Sequence, residues 1–124
     1  MSSATQAQVE HAHRKAVETT FSDIVRTLVE ALGRALVSFI ADVDPKTVDR
    51  WVEGGQRPRG NAEAKIRTAF QVYQMLLLRD SEHTVRAWFI GLNPQLDDTA
   101  PAQALHDGQL REVVVAAKSF TLGG

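Results

Sequence analysis

The residues from Trp88 to Gly108 leave a chain of this kind few ways to fold. An apolar segment with Val85, Trp88 and Phe89 at helical spacing runs into Gly91, where a left-handed residue can close a helix without a Cβ penalty. Asn93 and Pro94 forbid continuation. A polar loop through Asp97 and Asp98 lasts until Pro101, whose fixed φ and missing N–H suit the first turn of a new helix. That short helix carries Leu105 and ends near Gly108. Taken singly, these residues need mean no more than a break between two packed core helices. Their joint order asks for more.

The rest of the chain also reads as helix. The first residues are polar and lack an apolar stripe, so a flexible tail is expected over 1–15. His11 and His13 stand two apart, on different sides of a helix, which argues against a metal pair. From Val17 onward, Phe21, Ile24, Val25, Leu28 and Leu32 recur at three- and four-residue steps, the mark of one buried helical face ending near Gly33. A shorter helix with Leu36, Val37 and Ile40 follows and stops at Asp42. Asp44 is then a good N-cap, Pro45 suits the first helical position, and Val43 can staple onto Val48. The helix from Pro45 buries Val48, Trp51 and Val52 and closes at Gly54 or Gly55. Two short helices joined by a tight turn, the second closed by glycine, read as a helix-turn-helix, or in the plainer reading as a helical hairpin in a bundle.

After the loop Gln56–Gly60, Asn61 can cap a long helix to about Arg79, with Ile66, Phe70, Tyr73 and Leu77 on one face and Ala69 and Leu76 beside it. Ser81 can cap the next, and a last helix from about Gln109 to Ser119 turns Leu110, Val113, Val114 and Ala117 inward, leaving Phe120 to Gly124 as a tail. The fold class expected is all-α. Three parts are anticipated: the tail 1–15, a helix-turn-helix part with its long helix over 16–79, and a small helical part over 80–124.

The series Trp88, Asn93, Pro94, Leu96, Asp97, Asp98, Pro101, Leu105 and Gly108, before a final amphipathic helix, resembles the C-terminal toxin-binding domain of the Xre/MbcA/ParS antitoxin family. The chain departs from that pattern at Ala100, where a Ser or Thr cap is usual, leaving Thr99 for the task, and at Asp97 and Asp98, which replace Gly-Gly. The resemblance is strongest over the last third and weaker over the middle third, where Leu36, Val37, Ile40, Ala41, Thr47, Val48, Arg50, Trp51, Gly54 and Pro58 look like an Xre-type helix-turn-helix. It implies an antitoxin that neutralises a cognate RES-domain toxin, of a class that degrades NAD or transfers parts of it, by pushing its C-terminal end into the toxin's dinucleotide pocket. That role would fall to Phe120, Thr121, Leu122, Gly123 and Gly124. Trp88, Phe89, Asn93, Pro94 and Leu96, with Leu92, would form the apolar anchor patch, although Trp88 and Phe89 serve equally well as core.

Charge is distributed in keeping with two partners. The formal net charge is −1, yet Lys46, Arg50, Arg57, Arg59, Lys65 and Arg67 crowd the middle, while Asp80, Glu82, Asp97, Asp98, Asp107 and Glu112 dominate the end. Ordinary solvated surface is the alternative. If Val48, Trp51 and Val52 face inward, helical spacing turns Lys46, Thr47, Asp49, Arg50 and Glu53 outward. Arg50 can then meet guanine, Thr47 a base edge or phosphate, and Lys46, Arg57 and Arg59 the backbone of an operator in double-stranded DNA. Asp49 and Glu53 oppose phosphate, so pairing of two subunits on a palindrome is expected, as a homodimer or within a larger assembly with the toxin. A stand-alone transcriptional regulator whose C-terminal part only dimerises it is the alternative.

No enzyme is expected: the four His lack a partner pattern, His83 and His106 read as surface or boundary groups, and no Gly-rich loop follows a strand. Neither a cofactor nor a metal site is anticipated. The absence of Cys and of any long apolar run points to a cytoplasmic protein without a membrane partner.

Overall fold

The computed structural model describes residues 5–123 and is all-α, with no strand among them beyond one isolated bridge between Asn93 and Thr99. The elements are α1 (Gln6–Leu32), α2 (Arg34–Ala41), α3 (Pro45–Glu53), α4 (Ala62–Leu77), α5 (Glu82–Ile90), a 3-10 turn (Pro94–Leu96), α6 (Pro101–His106) and α7 (Leu110–Thr121). Among the described residues, no helix is long and apolar enough to cross a membrane.

Helix α1 begins at Gln6, inside the segment expected to be a tail. A tail was the expectation for 1–15, of which Met1 to Ala4 lie outside the described residues. From Gln6 the chain is helical, because Thr5 and Gln8 form a capping box: the Gln8 N–H donates to Thr5 Oγ1 at 3.1 Å and the Thr5 N–H to Gln8 Oε1 at 2.9 Å. Two orphan donors are thereby satisfied without any core contact. Phe21, Ile24, Val25, Leu28 and Leu32 are buried on one face as expected, while the side chain of Val17 lies outside the described residues. Gly33, at φ 92°, ends α1 in a conformation that a side chain would strain.

Helix α4 runs through the middle, packed along α7 and against α1 and α2. Its buried face is Ala62, Lys65, Ile66, Ala69, Val72, Tyr73 and Leu76, with Phe70 and Leu77 half-buried at the edges rather than central. Asn61 lies beside the helix start without capping it through its side chain. The Tyr73 hydroxyl reaches Glu82 at 3.3 Å, tying α4 to the first turn of α5. Burial, then the Glu82 charge, pushes that phenol above its ordinary range.

Buried residues form a single cluster from Phe21 to Ala117, and α2 packs on α6 across it. The boundary expected between 79 and 80 falls in the turn between α4 and α5, and the core continues past it. One core implies one unfolding event. Leu76→Ala is expected to lower stability by about 2–5 kcal/mol, and Trp51 and Trp88, read separately in single-tryptophan variants, should report the same urea midpoint. Two separated midpoints would contradict a shared core.

Candidate partner-binding surfaces

The first surface is assembled around the turn between α5 and α6. Gly91 is extended, at φ −83° and ψ 154°, and not left-handed as expected. A Cβ at this position would lie 3.1 Å from the Ala87 carbonyl oxygen, a tight contact that a small local shift would have to relieve. The left-handed residues are Asp97 and Asp98, at φ 54° and 61°, and Gly108. Asn93 organises the loop. Its side-chain Oδ1 accepts from the Gln95 N–H at 2.9 Å, its own N–H donates to the Thr99 carbonyl at 3.2 Å, and its carbonyl accepts from the N–H groups of Leu96 and Asp98. Thr99 is therefore engaged in the loop, and α6 starts at Pro101 with no side-chain cap from it or from Ala100.

This knot fixes what reaches solvent. Phe89 and Leu96 are core residues, 0% and 6% exposed, and lie beneath the patch rather than on its rim. Trp88 packs edge-on against Phe89 and tilted against Phe120, with ring centroids 5.4 Å and 6.4 Å away. It lines a groove of about 340 Å³ with Leu92, Asn93, Pro94, Gln95, Ala116 and Phe120. Leu92 and Leu122 stand 76% and 82% exposed, and Phe120 40%, an apolar rim that the chain itself leaves uncovered.

The segment beyond Ser119 begins as helix rather than tail. Phe120 and Thr121 form the last residues of α7, and the cap follows through the Leu122 N–H to Lys118 and the Gly123 N–H to Phe120. Three neighbours hold this turn: the Arg79 guanidinium donates to the Thr121 carbonyl, Gln95 Nε2 donates to Ser119 Oγ at 2.6 Å, and the Phe120 ring meets Trp88. Arg79, Gln95 and Ser119 were not legible as a set, because they lie far apart in sequence. Gly124 lies outside the described residues.

The second surface is α3 with its turn. Asp44 accepts from the Lys46 N–H at 2.8 Å and Pro45 occupies the first turn, as the sequence implies, while Gly54 closes the helix in the left-handed region. Asp42 is also left-handed, and Ser38 Oγ donates to the Val43 carbonyl at 2.6 Å, fixing the angle between α2 and α3. Val48 and Trp51 are buried, with Trp51 edge-on to Phe21 at 5.5 Å. From α1, Ser22 Oγ and Arg26 both donate to the Val52 carbonyl, an otherwise orphaned group at the end of α3. The helix is therefore held by its inner face and its C-terminal end. Lys46, Arg50, Arg57 and Arg59 are exposed and Thr47 half-buried, so these five candidates remain at or near the surface.

One of the two acids on that face is not free. Arg34, the first residue of α2, forms a bidentate pair with Asp49, both contacts 2.8 Å. The hydrogen bond to this guanidinium holds the Asp49 carboxyl below its ordinary value, and Arg34 is raised in turn. Because Asp49 titrates lower in the folded chain, the pair's stabilisation is present above the ordinary carboxylate value of 3.8 and fades as pH falls through the folded value. No group of three or more His, Cys, Asp or Glu among the described residues is placed to hold a metal ion.

No family model and no curated protein matches this sequence. A solved structure does: a chain of the M. tuberculosis MbcT-MbcA toxin-antitoxin complex superposes with a TM-score of 0.71 over 82% of this chain and 94% of that one. The two chains share one fold. At 23% identity the likeness is one of architecture, and at that level the resemblance read from the sequence holds.

Two outcomes are expected from these surfaces. Phe89→Ala should lower stability by about 3–5 kcal/mol, whereas Leu92→Ala should stay within about 0.5 kcal/mol of the parent in urea titrations. Asp49→Asn should melt below the parent at neutral pH, and the two melting temperatures should converge as the solution is acidified below pH 3.8.

Proposed function

We propose that this chain is a non-enzymatic antitoxin of a type II toxin-antitoxin system. It binds a cognate RES-domain, NAD-consuming toxin and closes that enzyme's active site with its own C-terminal end. The observation that carries the antitoxin reading is the shared fold, which spans nearly the whole of a chain from a toxin-antitoxin complex. The RES class and the NAD chemistry rest on the ordered series from Trp88 to Gly108, which resembles the Xre/MbcA/ParS toxin-binding domain.

In this reading the part over 80–124 holds the toxin. Trp88, Asn93 and Pro94 supply the groove, Phe120 and Leu122 its exposed apolar contacts, and Thr121, Gly123 and Gly124 continue the plug. Phe89 and Leu96 act from beneath by fixing Trp88 and the 3-10 turn. The part over 16–79 binds operator DNA and represses the operon. Arg50 and Thr47 meet base edges or phosphate, with Lys46, Arg57 and Arg59 on the backbone. The Arg34–Asp49 pair favours this second role, since it offsets one of the two negative charges that would face phosphate. Two copies, alone or with the toxin, would address a palindromic site in the cytoplasm.

Co-expression with the product of the adjacent open reading frame tests the main reading. That product alone should arrest growth and deplete cellular NAD, and this chain should restore both; a harmless neighbour leaves the stand-alone regulator as the better account. Deleting residues 120–124 should abolish protection while leaving the far-UV spectrum unchanged, and full protection by the truncated chain would refute the plug. For DNA, Arg50→Ala should weaken operator binding by about 1–3 kcal/mol, measured by fluorescence anisotropy at fixed salt.

A further inference from the structure

The end of α7 is held against the body by contacts that leave it imperfectly satisfied. Among the described residues, buried side-chain polar atoms without a hydrogen-bond partner are Trp51 Nε1, Trp88 Nε1 and Thr121 Oγ1. Two of these three lie where the last turn of α7 meets the body: Trp88 touches the Phe120 ring, and Thr121 is the residue whose carbonyl Arg79 takes. A buried hydroxyl left unpaired destabilises the state that buries it, and undocking the turn would return the Thr121 hydroxyl to water. Opposing that are two polar contacts at the surface, Arg79 to the Thr121 carbonyl and Gln95 to Ser119, and one tilted ring contact.

We propose that the last turn of α7 is a latch, docked in the free chain by Arg79 and released when its end enters the cleft of a partner. The release step rests on the antitoxin reading above; the latch itself does not. A segment that is docked against its own chain cannot at the same time extend into another protein's cavity. Only the fraction of molecules with the turn released is competent, and the apparent affinity is reduced by that fraction. Arg79 lies in the turn after α4, away from the groove lining, so it tunes this fraction without contributing to the proposed contact surface. The unpaired Thr121 hydroxyl has a role in this arrangement: it keeps the docked state shallow enough to be opened by a partner.

Two variants act in opposite directions. Arg79→Ala removes the charged donor and should raise hydrogen exchange at the Leu122 and Gly123 amides of the free chain about tenfold, with α1 to α4 unaffected. Thr121→Val replaces the unpaired hydroxyl with a group of similar shape and should slow exchange at the same amides. Binding to the product of the adjacent open reading frame, measured by calorimetry, should tighten about tenfold for Arg79→Ala. Exchange that is unchanged in both variants overturns the latch. Faster exchange in Arg79→Ala with unchanged or weaker binding overturns the release step and shows that the docked turn is the form the partner accepts. A parent chain that does not bind the neighbour's product refutes the antitoxin reading and the release step together, while exchange shifts of opposite sign would still establish the latch.

Discussion

A buried ammonium joins the two ends of the molecule. Lys65, on the inner face of α4, donates from Nζ to the carbonyl of His106 at 2.7 Å, at the C-terminal end of α6. A charge so placed needs a strong acceptor, and the last carbonyls of a helix, which carry the negative end of its dipole, provide one. His106 continues the link: its ring donates from Nδ1 to the Phe39 carbonyl of α2 at 2.7 Å and stacks on the Phe39 ring at 4.5 Å. Helix α6 has only six residues and no side-chain cap at its start, so it is held from its far end and by its buried Ala102, Ala104 and Leu105. Without that anchor the turn from Gly91 to Ala100 would have nothing fixed to return to.

The two candidate surfaces are presented by opposite physical means. Helix α3 is fastened at both ends and beneath, with Asp44 at its start, Trp51 on its inner face, and Ser22 and Arg26 on the Val52 carbonyl, so the helix itself keeps one orientation. The end of α7 is fastened only at its surface and buries a hydroxyl that no group answers. A reading head for a regular duplex gains from rigidity, since orientation is settled before contact. A segment that must change its surroundings gains from a shallow minimum. Both sit on one core, which allows occupancy at one surface to be felt at the other only through packed helices, with α4 the most direct route.

Much of this was legible in the sequence, and the failures follow a pattern. The break at Asp42, the cap at Asp44, the glycine stop at Gly54, the cap at Ser81 and the restart at Pro101 were all readable, because each is a local rule about one or two residues. What was misread depends on partners far along the chain. Gly91 reads as a left-handed stop, yet its backbone is extended and the Ala87 carbonyl oxygen crowds the place of a Cβ. On α4, Ile66 and Tyr73 are buried with the flanking Ala69 and Leu76 as expected, but Phe70 and Leu77 sit at the edge, because α7 packs along one side of the helix and a single helix does not announce its neighbours. Arg34 and Asp49, fifteen residues apart, and Arg79 and Thr121, forty-two apart, carry no signal in the one-dimensional pattern. At the candidate sites the residue types were therefore readable, and their mutual restraint was not.

Asp97 and Asp98 hold a left-handed backbone that glycine would adopt with less strain, and each adds a negative charge one turn from the groove. They make no hydrogen-bonded contribution from their side chains to the loop, whose closure is the work of Asn93. What two adjacent carboxylates supply at such a position is field. Their influence reaches about a Debye length, near 8 Å at physiological salt, and acts while two proteins are still approaching. The loop would thus set how quickly a basic surface is captured and in which orientation, leaving the lifetime of the complex to the apolar rim.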